Sequence, residues 1–285
     1  MNNSILDDLK NVFRSKNYLY QVIIINAVVF VLLNIAIAIS PGDAYNSVIR
    51  SLGLSANFST YFWRIWTYFT YMFTHTGFNH VFFNMLLLYM IGRIFSDLYG
   101  SKRFLETYIY SGLFSGVLYM ISSNIIPNVS PDSYLIGASG AVMGIVIAIG
   151  FLQPNYIVGI FTYKVQLKYV VLTAFILSSV LYIDKNTGGK VAHFGGALYG
   201  YLFAYYLPKG LDINKYLTNF FSIFKKLFAS KPKIKVVHKN KNHQKQSTTK
   251  QDQAEVDKIL DKISKSGYDS LTKAEKEFLF NFGKK

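Results

Sequence analysis

Two polar residues that lie in otherwise apolar stretches could carry out nucleophilic chemistry. Ser139 belongs to the segment Gly137-Ala138-Ser139-Gly140 at the head of one stretch, and His193 lies inside another. A serine hydroxyl attacks a carbonyl when a base removes its proton, and histidine, which titrates near neutral pH, is the usual base. Ionisable side chains are costly in hydrocarbon, so their presence there indicates a functional site. The two residues are therefore a candidate nucleophile and base.

A second group of residues could stabilise negative charge. Attack on a peptide carbonyl creates an oxyanion, which needs preorganised donors in a water-poor site. His80 and Asn84 are four positions apart and would share one face of a helix. The backbone N–H of Ser139 would add a donor, because the first N–H groups of a helix lack partners within it. Three helices would together supply nucleophile, base and oxyanion donors.

Each of these features also has a purely structural interpretation. Serines in spanning helices usually bond to their own backbone, as we expect for Ser111, Ser115 and Ser178. Gly140 and Gly144 have the spacing of a helix-packing motif. The face that carries His193 also carries small residues, namely Gly196, Ala197, Gly200 and Ala204. Packing and chemistry are compatible here, because small residues let two helices approach closely enough for a serine hydroxyl to come within about 3 Å of an imidazole.

The elements that position these residues are apolar runs of membrane-spanning length. The chain is 51% hydrophobic and 17% aromatic, with a mean hydropathy of +0.25. A spanning helix needs about 20 mainly apolar residues. The sequence predicts six spans, at residues 20–39, 80–98, 104–126, 137–152, 169–183 and 191–207. Cysteine is absent, which excludes disulfides and a cysteine nucleophile.

The distribution of lysine and arginine among the short loops predicts the orientation. The bias favours a protein in the cell (inner) membrane with both termini on the cytoplasmic side. It also places the beginnings of the second, fourth and sixth spans at the same outer level. The first apolar run follows Asp7 and Asp8 and lacks a small-x-small cleavage site, so we do not expect a cleaved signal peptide.

The chain divides by composition into four parts. We expect a cytoplasmic N-terminal segment (1–19) and a spanning domain (20–208) that includes an aromatic, interfacial first loop at 40–79. A basic amphipathic helix and disordered linker follow (209–253), and then a small cytoplasmic helical unit (254–285). In that last unit Thr272 and Glu275 have the spacing of a capping box.

The basic segment 209–253 indicates a lipid partner. It holds eleven lysines against two aspartates. Such charge suits an anionic lipid surface. Binding to nucleic acid is the competing interpretation of basic charge, but no recognition motif accompanies it, so we expect no nucleic-acid partner.

Over about residues 18–208 the chain resembles the rhomboid family of intramembrane serine proteases. The family's Gly-x-Ser-Gly motif corresponds to residues 137–140, which implies that Ser139 is the nucleophile. Its sixth-span pattern Ala-His-x-x-Gly-x-x-x-Gly corresponds to Ala192, His193, Gly196 and Gly200, which implies that His193 is the base. Its second-span pattern His-x4-His-x3-Asn corresponds to His75, His80 and Asn84, of which the last two help to line the oxyanion hole in the family.

The resemblance also implies a fold and a reaction. The fold would be an all-α, six-helix bundle around a water-filled cavity, which the interfacial first loop closes from lipid. The catalytic group would be a Ser-His dyad without metal or cofactor, acting on membrane-anchored protein substrates near the outer face.

The chain departs from the family pattern at three positions. Many relatives have a tyrosine where this chain has Met143, whose thioether can also contact a ring. Thr67 follows Trp66 where the family often has arginine, and Ser96 replaces an acidic residue.

Two other functions stay open at this point. A rhomboid-like pseudoprotease would bind transmembrane helices without cleaving them, but such relatives typically lack the serine or the histidine. A small transporter would show internal repeats, and we find none in the sequence.

Overall fold

The computed structural model describes residues 5–40, 42–57, 63–123, 125, 130, 132–160, 162–181, 186–228 and 250–283. Contacts within the chain divide it into two compact units, residues 1–229 and 230–285. Each unit is considered separately.

The first unit is a bundle of helices with two small pairs of strands. In chain order its elements are α1 (Ile5–Arg14), α2 (Tyr18–Ile39), α3 (Ala44–Leu52), β1 (Leu54–Ser55), α4 (Thr67–Thr70), α5 (Phe78–Tyr99), α6 (Ser101–Ser123), β2 (Tyr134–Leu135), α7 (Ser139–Leu152), β3 (Ile157–Ile160), β4 (Tyr163–Gln166), α8 (Leu167–Phe175), α9 (Thr187–Tyr206) and α10 (Ile213–Phe228). A π-helical turn (Ile176–Val180) extends α8, and 3₁₀ turns follow α4 (Tyr71–Phe73) and α9 (Leu207–Lys209). Within the described ranges, α2, α5 and α6 are long and apolar enough to cross a membrane, and two shorter apolar helices are α7 and the segment Leu167–Val180.

The six predicted spans all coincide with helices, and their ends differ from the prediction by at most four residues. The fifth is the most changed, because its α-helical part ends at Phe175 and the π turn completes it. The strand pairs were not predicted: β1 pairs with β2, and β3 forms an antiparallel hairpin with β4. Their burial is too irregular to produce the alternating pattern that identifies a strand.

The bundle is organised around α7. Every residue of α7 from Gly140 to Gly150 is buried, as expected for a helix that is apolar on all sides and surrounded by others. In contrast, α2 leaves large apolar residues exposed to its surroundings. Leu32, for example, is 60% exposed. Exposed apolar helix surface of this extent is typical of contact with lipid. The first unit is a polytopic membrane bundle.

Glycines bring the backbones of α7 and α9 into direct contact. A Cβ added at Gly196 would collide with the carbonyl oxygen of Gly140, and one added at Gly200 would collide with that of Gly144. The predicted packing motif is therefore confirmed, and it joins the helix that begins with Ser139 to the helix that carries His193.

Two serines of α6 complete this contact. The hydroxyls of Ser115 and Ser111 lie where side chains on Gly140 and Gly144 would otherwise extend. Neither hydroxyl bonds to its own helix in the described part of the chain, so that expectation was wrong for both. Ser178 does follow it, since its Oγ lies 3.4 Å from the carbonyl oxygen of Phe175. The two α6 serines are small residues packed against glycine.

Hydrogen bonds within the first loop connect its distant parts. The indole Nε1 of Trp66 donates to the carbonyl oxygen of Ser51 (2.9 Å), and Thr67 donates its hydroxyl to that of Arg64 (2.7 Å). Trp63 stays 78% exposed, as expected for an aromatic ring at a membrane interface. Two further aromatic residues of this loop, at positions 61 and 62, lie outside the described residues.

The predicted amphipathic helix is α10, and its beginning is fixed to the bundle. Asn214 is fully buried; it accepts from the Tyr199 hydroxyl (2.6 Å) and donates to the Thr107 hydroxyl (2.8 Å). Asp212 forms an ion pair with Arg103 of α6 (2.9 Å). These polar contacts set where the chain leaves the spanning helices.

The second unit is a helical hairpin made of α11 (Lys250–Ser266), a 3₁₀ turn (Tyr268–Ser270) and α12 (Lys273–Gly283). The capping box is confirmed: the Thr272 N–H donates to Glu275 Oε2 (2.7 Å), and the Glu275 N–H donates to Thr272 Oγ1 (3.4 Å). Lys262 of α11 also donates to both oxygens of Glu275, at 2.9 and 3.0 Å. One carboxylate thus caps α12 and joins it to α11.

Substitution of a glycine at the α7–α9 contact should destabilise the bundle. Gly196→Ala forces the new methyl group against the Gly140 backbone, which cannot rotate away, and we expect a loss of about 1–3 kcal/mol. Thermal unfolding in detergent measures this. The control is Gly159→Ala in the β3–β4 hairpin, where an added Cβ meets nothing within 4 Å. An unchanged melting temperature for Gly196→Ala would contradict the described contact.

The second unit should lose stability in acid. The Lys262 ammonium, with Thr272, lowers the pKa of Glu275 from 4.5 to about 2. Because this pKa is lower in the folded chain, the ionised carboxylate stabilises the unit above about pH 4.5, and this contribution is lost as the pH falls toward 2. Hydrogen exchange of residues 250–283 in the full chain, corrected for intrinsic rates, should therefore accelerate across this range. Glu275→Gln should abolish the pH step, whereas Glu277→Gln on the same helix should retain it.

Candidate functional site

The four principal candidate residues line one cavity of about 860 Å³ at one end of the bundle. Ser139 comes from the beginning of α7, His193 from α9, and His80 and Asn84 from the first two turns of α5. The wall also includes Ile136, between β2 and α7, Ser178, from the π-helical turn after α8, and the beginning of α9. Residues more than 100 positions apart in the chain thus meet at one polar cavity in an apolar bundle.

Ser139 owes its position to the short segment before α7. Gly137 has a φ of +105°, which favours glycine, and its N–H donates to the carbonyl oxygen of Tyr71 (2.8 Å). A Cβ at Gly137 would collide with the imidazole of His80. The next N–H, that of Ala138, donates to Nε2 of His75 (3.1 Å). Ser139 is then the first helical residue, where backbone N–H groups have no partner within the helix.

His193 is oriented by a backbone carbonyl. Its Nδ1 lies 3.0 Å from the carbonyl oxygen of Ser178 and 3.5 Å from the hydroxyl of Ser179. A carbonyl oxygen can only accept, so Nδ1 carries the proton in this hydrogen bond. In the neutral imidazole this leaves the lone pair on Nε2, which is the atom that can act as a base.

Ser139 and His193 share the cavity without a direct bond. Among the described residues, no hydrogen bond joins the Ser139 hydroxyl to the His193 imidazole. Catalytic hydrogen bonds are often long in free enzymes and shorten when substrate binds. The fold therefore places both groups in one cavity, and a bound ligand would have to bring them within hydrogen-bonding distance.

The predicted oxyanion donors are held by their own helix and by His75. Asn84 donates its amide to the carbonyl oxygen of His80 (2.8 Å), and the same nitrogen lies 3.5 Å from His75 Nε2. The rings of His75 and His80 meet edge to face, 4.9 Å apart. His75 is fully buried, so it supports the Ser139 segment and Asn84 from behind the cavity.

The remaining candidates lie close to this group. Gly140, Gly196 and Gly200 form the α7–α9 contact. Met143 is buried one turn into α7, and its contact with the histidine ring stays a prediction. Within the described ranges, no group of three or more His, Asp or Glu side chains could hold a metal ion.

Sequence reasoning missed two parts of the site. The Ser178 carbonyl is a main-chain group, which any residue could supply, so its position left no signal in the sequence. Lys190 donates to that same carbonyl (2.5 Å). The predicted sixth span begins at Val191 and leaves Lys190 out, whereas the helix begins at Thr187 and includes it.

The fold and the cavity together define a polytopic helical membrane protein with a polar chamber inside its bundle. Comparison with known protein families shows to which family this membrane protein belongs. The Rhomboid domain model matches residues 62–210. This chain therefore belongs to the rhomboid family. A second model, described as a family of unknown function (DUF6576), matches residues 239–285.

Two curated proteins illustrate how distant the relatives are. Rhomboid protein 1, mitochondrial, from Saccharomyces cerevisiae is 25% identical over 49% of this chain and 41% of its own length. Rhomboid-like protein 11, chloroplastic, from Arabidopsis thaliana is 24% identical over 63% of this chain and 64% of its own length. The chain thus spans less than two thirds of either relative.

Removal of the His75 acceptor should destabilise the segment before α7. His75→Ala leaves the buried Ala138 N–H without a partner, which we expect to cost about 1–3 kcal/mol. Chemical denaturation in detergent micelles measures the loss. His75→Gln offers an amide oxygen as a replacement acceptor and should recover part of the stability. Equal stability of the wild type and His75→Ala would show that this hydrogen bond contributes nothing.

Proposed function

We propose that this chain is an intramembrane serine endopeptidase that cleaves membrane-anchored proteins through Ser139 and His193. One observation carries the proposal: Ser139, His193, His80 and Asn84, from three separate helices, line the same cavity. Nucleophile, base and donors for an oxyanion are the groups that acyl transfer requires. Membership of the rhomboid family also supports the proposal.

The proposed reaction proceeds in two stages. Ser139 Oγ attacks the carbonyl carbon of the scissile peptide while His193 Nε2 takes the hydroxyl proton. His80, Asn84 and the Ser139 N–H stabilise the oxyanion. The C–N bond then breaks, and the leaving amine takes the proton from His193. A water molecule, deprotonated by His193, finally hydrolyses the acyl-enzyme and restores Ser139.

Within the described residues, no carboxylate is hydrogen-bonded to His193. In a Ser-His-Asp triad the aspartate accepts from Nδ1 and fixes the tautomer. Here the Ser178 carbonyl accepts from Nδ1 instead (3.0 Å). A neutral carbonyl stabilises an imidazolium less than a carboxylate does, so the catalytic group is a dyad with a main-chain orienting group.

The proposed substrates are helices that cross or enter the membrane near its outer face. In a helix the peptide groups are engaged in i→i−4 hydrogen bonds, so the helix must unwind locally before Ser139 can attack a peptide bond. Helix-destabilising residues should therefore favour cleavage. The location would be the cell (inner) membrane with both termini in the cytoplasm, and the basic segment 209–253 would contact anionic lipid.

A pseudoprotease that binds transmembrane helices without cleaving them is the second candidate. The observation that favours it is the missing hydrogen bond between Ser139 and His193 in the described residues. Labelling with a fluorophosphonate separates the two functions, since this probe forms a covalent bond only with an activated serine.

The proposal predicts that each catalytic side chain is indispensable. Ser139→Ala and His193→Ala should each reduce cleavage of a fluorogenic transmembrane peptide by about 10⁴-fold or more, and the double variant should be scarcely worse. The fluorophosphonate should label the wild type at Ser139 and should fail to label either variant.

A serine outside the cavity provides the matched control. Ser222→Ala on α10 removes a hydroxyl that bonds to the Asn219 carbonyl (2.7 Å), and it should retain full activity. Wild-type protein that is folded but neither labels nor cleaves would favour the pseudoprotease. Near-normal cleavage by Ser139→Ala would exclude Ser139 as the nucleophile.

A further inference from the structure

The π-helical turn after α8 contains a carbonyl oxygen that accepts from two side chains of α9. Ser178 belongs to the π-helical turn Ile176–Val180. Its carbonyl oxygen lies 3.0 Å from His193 Nδ1 and 2.5 Å from Lys190 Nζ. Both partners donate, and one carbonyl has two lone pairs with which to accept them.

The Ser178 carbonyl lies in the last turn of its helical segment. The last carbonyl groups of a helix lack N–H donors within it, and a buried acceptor without a donor is costly. Ser178 lies three residues before Leu181, where the helical segment has ended. Turns of π geometry occur often at functional sites. Within the described residues, Lys190 and His193 supply donors to it.

Lys190 and His193 are placed to act on one group. They are three positions apart on α9 and therefore lie on the same helix face. A lysine cation is also favoured at the carboxyl end of a helix, where the carbonyl dipoles converge. Its ammonium therefore holds the Ser178 carbonyl toward α9.

We infer that Lys190 is a positioning residue for His193: it fixes the Ser178 carbonyl where that carbonyl accepts the Nδ1 proton and keeps Nε2 free for Ser139. This inference rests on the proposed function, because it assigns Lys190 a part in the same reaction. Lys190 is not among the residues that line the cavity, and it acts through the Ser178 carbonyl.

The test uses the full chain in liposomes and the rate at which a fluorophosphonate labels Ser139. Lys190→Met keeps the aliphatic stem but loses the donor. It should lower the maximal labelling rate about 10- to 100-fold, because a small misplacement of a reacting group slows a reaction by this much. The probe concentration that gives half of the maximal rate should change little. Lys190→Arg restores a cationic donor and should recover most of the rate. Lys164→Met, in the β3–β4 hairpin, is the matched control and should label like the wild type.

The outcomes separate this inference from the proposed function. No labelling of the folded wild type would overturn both. Labelling of the wild type together with an unchanged rate for Lys190→Met, or with no recovery in Lys190→Arg, would overturn the role of Lys190 alone.

A measurement on the wild type keeps the inference testable if Lys190→Met does not fold. ¹⁵N NMR of histidine-labelled protein, with the His193 signal assigned by its loss in His193→Gln, reports which ring nitrogen carries the proton. We expect the Nδ1–H tautomer at neutral pH. An Nε2–H tautomer would overturn the inference, since Nδ1 could not then donate to the Ser178 carbonyl.

Discussion

The backbone contact between α7 and α9 is the constraint on which the site depends. Gly140 follows Ser139 directly, and Gly196 lies one turn after His193, so the residues that let the helices touch are neighbours of the residues that face the cavity. Lipid offers no hydrophobic force between spanning helices, so close van der Waals packing has to hold them together. The same contact thus stabilises the bundle and fixes the distance between the candidate nucleophile and base.

The hydrogen bonds that hold Gly137, Ala138 and His193 in place each join two neutral groups, at least one of which belongs to the main chain. The Ala138 N–H is bound by His75, the Gly137 N–H by the Tyr71 carbonyl, and His193 by the Ser178 carbonyl. Neutral partners of this kind avoid the high cost of burying an ion in a bundle surrounded by lipid. They also have little conformational freedom, because backbone groups in helices and tight turns do not rotate. This rigidity suits a site whose donors must be in place before charge develops.

Composition and spacing predicted those parts of the molecule that depend on side-chain type. Apolar runs located the spanning helices, small residues located their contact, and Thr272 with Glu275 located the start of α12. Main-chain geometry left no comparable pattern: the π turn after Phe175, the two-residue strands β1 and β2 and the role of the Ser178 carbonyl were missed. Asn214 was missed for a different reason, because a single amide among lysines and aromatics gives no sign that tertiary contacts bury it. Ser111 and Ser115 were misread because bonding to the helix backbone is the usual state of such serines, and only the packed neighbours reveal the exception.

The short pairing of β1 with β2 links a surface segment to the chamber wall. Leu54 and Ser55 belong to the first loop, and they pair with Leu135 and Tyr134, which line the cavity just before Ser139. Further along the same loop, Trp66 and Thr70 are hydrogen-bonded to the end of α3. A displacement of this aromatic loop cannot leave the wall unchanged unless the strand hydrogen bonds break first. A shift of the first loop would consequently change the shape of the cavity.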